Sequence, residues 1–253
     1  MATYKKHGRT KKSREEKLEE QSTTAKVFGS LDSGASQFED WVSRNRNAIF
    51  TVIGIIVVGV VGYLAYDNFY MKPRQEEAVK EMSQPLDYFN RAMLVDAGPD
   101  RDTLFLKALN GSGSYGLLDI ISNYKGTDAA NIANYSAGMA YLNLKEYKKA
   151  VEHLEKFKAK DEFYPAIAKG AIGDAFMENG QPEEALKYYE EAAKIRTNSF
   201  TTPRYLLKAG MTAVQLDEYD KAKRFLKKIE EDYPDSPEAE KAPVYLGIAE
   251  NTK

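Results

Sequence analysis

The sequence predicts an all-α chain in which one N-terminal transmembrane helix precedes an α-solenoid of stacked helix hairpins. Two observations carry this prediction. Residues 48–66 read AIFTVIGIIVVGVVGYLAY, nineteen residues without a charge. Further on, a group of residues at fixed spacing recurs: Gly138, Tyr141, Ala150 and Leu154, then Gly173, Phe176, Ala185 and Tyr189, then Gly210, Ala213, Ala222 and Leu226. The offsets between copies are 35 and 37 residues, and Gly247 lies another 37 beyond. A period of that length marks an array in which each unit is one supersecondary motif. A third observation narrows function. The chain has no cysteine and only two histidines, His7 and His153, which excludes disulfides, thiolate metal sites and a histidine metal cluster.

Composition is that of a globular protein with one span added, at 29% charged and 43% hydrophobic residues. The net charge of -2 is unevenly placed. Ten Lys/Arg stand against seven Asp/Glu before residue 48, and twenty-four against thirty from Gln75 onward. An acidic main domain argues against DNA as a partner.

Residues 1–26 form a basic tail, with Lys5, Lys6, Arg9, Lys11, Lys12, Arg14 and Lys17 in its first part, and it is expected to be disordered and cytoplasmic. Two roles stay open for it: fixing topology, or touching acidic lipid headgroups or ribosomal RNA. Residues 27–47 are a juxtamembrane segment. Phe28, Leu31, Phe38 and Trp41 fall on one side of a helix. That side suits the inner membrane surface or a membrane partner, the alternative being a loose segment with scattered apolar residues.

Residues 48–66 are the span. At about 1.5 Å per residue such a helix nearly matches a hydrocarbon core of roughly 30 Å. It is apolar on every face, which no surface helix of a soluble domain is. Gly54, Gly62 and Ala65 lie close to one face and would admit a neighbouring helix. Arg44 and Arg46 stand at the entrance and Tyr63, Tyr66, Phe69 and Tyr70 at the exit. The positive flank predicts the N-terminus inside and the main domain outside the cytoplasm. Residues 67–75 read as a linker holding Pro73.

Residues 76–253 are the repeat domain. Helices are expected from Glu76 to about Val95, with Pro85 kinking or breaking the first, then from Asp102 to Leu109 and from Tyr115 to Tyr124. Gly111-Ser112-Gly113-Ser114 lacks the lysine and spacing of a phosphate loop and reads as a turn. In the repeats, Gly138 and Ala150 let two antiparallel helices approach, and Tyr141 and Leu154 fill the seam. The pattern resembles the tetratricopeptide repeat, with Asn134 where an aromatic is usual and Ala213 where a tyrosine is common. Both departures predict looser packing. Stacked units leave a concave face, onto which the register puts Ile132, Tyr135, Met139, Ile167, Asp174, Met177, Arg204, Lys208 and Met211. Methionines there either bind apolar peptide segments or fill gaps between repeats. Arg204 and Lys208, one turn apart, have the spacing to hold a carboxylate.

A short tail, one span and a tetratricopeptide-like domain together resemble the YfgM-type ancillary subunits of the bacterial Sec translocon. The opening MATYKKHGRTKKSREEKLEEQSTTAKVF looks like flavobacterial members of that group. The resemblance implies an inner-membrane protein with a periplasmic domain. It also implies association with translocon channel subunits and with a membrane-anchored prolyl-isomerase-like chaperone. No nucleophile elbow, metal-ligand set or nucleotide loop is present, so no catalytic role, cofactor, metal or small-molecule substrate is expected. The residues alone leave two other readings open: a cytosol-facing receptor for protein import, and a scaffold of a cell-envelope complex.

Overall fold

The computed structural model describes the backbone of residues 23–251 and side chains from Phe38 onward. The basic tail up to residue 22 and the side chains of Phe28 and Leu31 lie outside the described residues. What is described is helical, without strands, and divides into two compact units at Asp67.

The first unit is a single helix, α1, Thr23–Tyr66. Its apolar run is exposed all round, with Ile55 at 68% and Val58 at 73% of their free surface. Among the described residues it is the one helix long and apolar enough to cross a membrane. The hydroxyl of Thr51 donates to the Asn47 carbonyl at 2.8 Å, so this hydroxyl is satisfied within the helix. Phe38 and Trp41 stack at 6.4 Å, both exposed. No neighbour lies within 4 Å of a Cβ placed at Gly54 or Gly62.

Residues 67–75, expected as a linker, are helical. A π-helical turn, Asp67–Met71, leads into α2, Lys72–Leu94. Arg74 explains why this stretch is ordered. Its Nη1 donates to the Tyr70 hydroxyl at 2.7 Å, its Nη2 donates to the Asn123 carbonyl, and the guanidinium lies over the Tyr70 and Tyr124 rings. Helix α2 runs through Pro85 without ending there. The proline ring is buried in the core, and that burial offsets the backbone hydrogen bond it forfeits.

Helices α3, Pro99–Asn110, and α4, Leu117–Asn123, pack with α2 against α5, Asp128–Asn143. Phe89, Phe105, Leu109, Leu117 and Ile120 form the shared core. The Gln75 side chain accepts from the Asp128 amide at 2.8 Å, satisfying one of the orphan donors at the start of α5. Three hairpins follow: α5 with α6, Tyr147–Lys156; α7, Tyr164–Glu178, with α8, Pro182–Lys194; α9, Thr201–Gln215, with α10, Tyr219–Asp232. Helix α11, Ala242–Asn251, packs on α10 and α9.

The glycine spacing reports the contact it was expected to report. A Cβ at Gly138, Gly173 or Gly210 would stand 2.6 Å from Leu154, 2.6 Å from Tyr189 and 2.8 Å from Leu226. Each partner lies sixteen residues on, in the second helix of the same hairpin. The turns are equally alike. Lys145, Gly180 and Asp217 all adopt positive φ, at 62°, 73° and 59°. In each turn the next residue's amide bonds back to Tyr141, Phe176 or Ala213. Position 134 is not loosely packed, as the missing aromatic implied. Asn134 is buried, donates to the Ala130 carbonyl at 3.0 Å and meets His153 Nδ1 at 3.1 Å, and His153 stacks on Tyr141. A hydrogen-bonded amide–imidazole pair fills the space at this position.

Candidate functional site

A groove enclosing about 840 Å³ runs across the C-terminal ends of α5, α7 and α9. The repeat register builds it row by row. Asp174 and Met211 come from one register row. Leu142, Met177 and Val214 come from the row three residues later. Each row repeats because the hairpins stack with the same face forward.

At the centre of the groove Asp174 is held from two sides. The Tyr189 hydroxyl donates to its Oδ1 at 2.7 Å and the Lys208 ammonium at 2.5 Å. The same ammonium lies over the Tyr189 ring at 5.5 Å. Burial, then the Asp174 charge, pushes the Tyr189 phenol well above its ordinary range, so it stays a donor at any physiological pH. The Asp174–Lys208 pair joins α7 to α9 and fixes the groove floor. Met177 and Met211 flank it, Met211 with 38% of its surface free.

Of the nine residues expected on this face, the structure brings Asp174, Met177, Lys208 and Met211 together. Met139 packs instead between the clusters around Ala137 and Ile172, so the methionines divide between groove lining and gap filling. Tyr135 sits with Phe157 and Tyr164, ring centres 5.0 and 5.2 Å away, and burial pushes its phenol up to about 12. Ile132, Ile167 and Arg204 belong to the N-terminal ends of the first helices and do not line the groove. Arg204 lies over Phe200 at 5.3 Å. Arg204 and Lys208 therefore do not act as a pair: Lys208 is neutralised by Asp174, and Arg204 stacks on an aromatic ring.

Sequence reasoning missed other lining residues. Leu142 and Val214 were legible, because they are register mates of Met177. Arg101 lines the groove from α3, outside the repeats, and no register points to it. Away from the groove, the Tyr205 ring occupies the space beside Gly170 on the preceding hairpin, 1.9 Å from where a Cβ would stand. Glycine there is a condition of stacking, not of hairpin closure. At the other ends of the helices a capping device also repeats. Asp161 accepts from the Phe163 and Tyr164 amides, and Asn198, 37 residues on, accepts from the Phe200 and Thr201 amides.

Two family models described as tetratricopeptide repeat match the chain, over residues 138–200 and 176–242. Over these segments the chain is similar to tetratricopeptide repeats. Together the matches run from the middle of α5 to the start of α11, so the groove is built mostly from matched residues, with Arg101 added from α3 and Tyr245 from α11. No curated protein and no solved structure matches the chain. Repeats of this kind suggest a protein-interaction adaptor role. Among the described residues, no group of metal-ligating side chains gathers.

Proposed function

We propose that the chain is a membrane-anchored adaptor that holds a protein partner in the groove across its three repeats, as an accessory subunit of the Sec translocon. The observation that carries the reading is the groove itself. Leu142, Met177, Met211 and Val214 give it an apolar stripe beside an internally paired Asp174–Lys208 floor, and Arg101, Lys145 and Glu178 also line it. That mixed lining suits a protein segment that offers apolar side chains together with charge. The exposed apolar run of α1 supports membrane anchoring, because burying it in lipid recovers roughly 25 cal/mol for each Å². The Lys/Arg excess before residue 48 supports an N-terminus in the cytoplasm and a periplasmic repeat domain. The resemblance in architecture supports translocon channel subunits and a membrane-anchored prolyl-isomerase-like chaperone as partners.

The test combines topology and capture. A reporter active only outside the cytoplasm, fused after Lys253, is expected to be active. A silent but expressed fusion favours the import-receptor reading. Purification in mild detergent is expected to recover channel subunits with the wild-type chain. Met177→Glu with Met211→Glu should lose the groove-bound partner while keeping helix content. Recovery of envelope or division components in place of channel subunits would favour the scaffold reading.

A further inference from the structure

The three hairpin turns share one backbone conformation but not one charge. The repeat register aligns Lys145 with Gly180 and Asp217, Lys148 with Glu183 and Asp220, and Lys149 with Glu184 and Lys221. Residues 145–149 hold three lysines and one glutamate, residues 180–184 two glutamates and no lysine, and residues 217–221 three acidic residues and one lysine. The fold does not ask for the lysines. Helices α8 and α10 carry Glu183, Glu184 and Asp220 in their first turns, where the helix dipole favours negative charge. Helix α6 has no acidic residue in its first turn and carries Lys148 and Lys149 there, where the dipole disfavours them. Lys149 is answered locally by Glu146 at 2.5 Å. Lys145 and Lys148 are exposed and form no ion pair among the described residues.

These two cations stand beside the groove. A side cavity of about 520 Å³ is lined by Lys145, Tyr147, Lys148, Val151 and Phe176, and it shares Lys145 and Tyr147 with the groove. Arg101 reaches the groove from α3, which packs on α5 of the same hairpin. Its guanidinium lies over the Phe105 ring at 6.0 Å, and its buried Nε meets no acceptor among the described residues. Three cations adjoining the first hairpin thus lack the kind of partner that Lys208 has in Asp174. We propose that this end of the groove receives acidic side chains, so that the partner segment is one whose apolar residues adjoin a run of aspartate or glutamate. The inference rests on the groove reading and adds the sign of the charge that the partner brings. Carboxylates seated here meet cations that the fold leaves uncompensated, whereas a basic run meets repulsion. The acidic turns of the second and third hairpins repel the same carboxylates and so confine them to the first.

The probes are two fluorescein-labelled peptides with the same apolar core of leucine and methionine, one ending in three glutamates and the other in three glutamines. Each is titrated against the full chain in mild detergent. At low ionic strength the glutamate peptide is expected to bind about tenfold tighter, and the gap should narrow as salt screens it. The variants borrow residues that other hairpins already accommodate at the same place: Lys145→Asp from the third and Lys148→Glu from the second. Together they should abolish the glutamate peptide's advantage and leave the affinity of the glutamine peptide unchanged. Lys148→Glu alone should also raise Tm slightly, because it relieves the clash with the α6 dipole; a lysine kept there for stability would give a fall. Lys187→Glu with Lys194→Glu lowers the net charge by the same amount on α8 and should preserve the advantage. Equal affinity of the wild type for the two peptides, or an advantage lost equally in the α8 control, overturns the proposal and leaves the groove reading standing. If neither peptide binds, the groove reading falls and this inference falls with it.

Discussion

Gly173 and Gly54 are both glycines inside helices, yet one meets a tyrosine ring 2.6 Å from its notional Cβ and the other meets nothing within 4 Å. The difference separates two uses of a small residue. In the repeat domain the notch is filled by the same hairpin, so the glycine is a requirement of folding. In α1 no atom lies within 4 Å of a Cβ placed at Gly54 or Gly62, so there glycine is not a requirement of the described packing. One residue type at one kind of position is therefore needed for packing in the first region and not in the second.

The sharpest way to break this contrast is Gly173→Leu. The new side chain must displace the buried Tyr189 ring and its bond to Asp174. Overpacking of this kind costs roughly 3 kcal/mol, or about 6–12 °C in Tm for a domain of this size. An unchanged Tm would mean that the hairpin contact is not as described. Asp174→Ala is expected to come next. It leaves the Tyr189 hydroxyl without its acceptor at a cost of about 1–3 kcal/mol, and a smaller loss of Tm, without loss of helix content, would be measured by circular dichroism.

A third, smaller effect concerns pH. Burial, with Lys156 adding to it, holds the His153 imidazole below its ordinary value of 6.5. The folded protein thus prefers the neutral ring. Its contribution is present above the unfolded pKa and is lost as pH falls below about 6.5 toward the folded value. Melting at pH 7.5 and pH 5.5 should show a drop that is smaller in His153→Gln. A drop of the same size in both would assign the pH dependence to other groups. The smallest expected effect is that of Gly54→Leu and Gly62→Leu, which should leave the melting of the repeat domain unaltered. A lowered Tm there would erase the distinction between the two regions.

How much of this was legible follows from the range of each interaction. The glycine-to-bulky contacts lie sixteen residues apart within one hairpin and repeat three times, so spacing alone reveals them. Met177 and Met211 follow from the same register. Lys145 and Asp217 adopt the left-handed turn conformation that only Gly180 advertises, because the hairpin's hydrogen bonds impose it on whatever residue is there. Asn134 looked like a defect, since its compensating partner His153 is in the next helix. Arg101 reaches the groove, and Gln75 caps α5 from 53 residues away. Such contacts depend on how α2 and α3 dock, and no periodicity encodes that. Tyr135 was expected on the groove face, but its ring packs with those of Phe157 and Tyr164.

The central claim, that the repeat groove holds the protein partner, is tested most directly by a photo-crosslinking residue placed at Met211 and, for comparison, at Lys187 on the exposed side of α8. The account predicts a discrete protein adduct from Met211, lost when Met177 is changed to glutamate, and none from Lys187. Equal adducts from both positions, or adducts only from crosslinkers placed in residues 48–66, would contradict it.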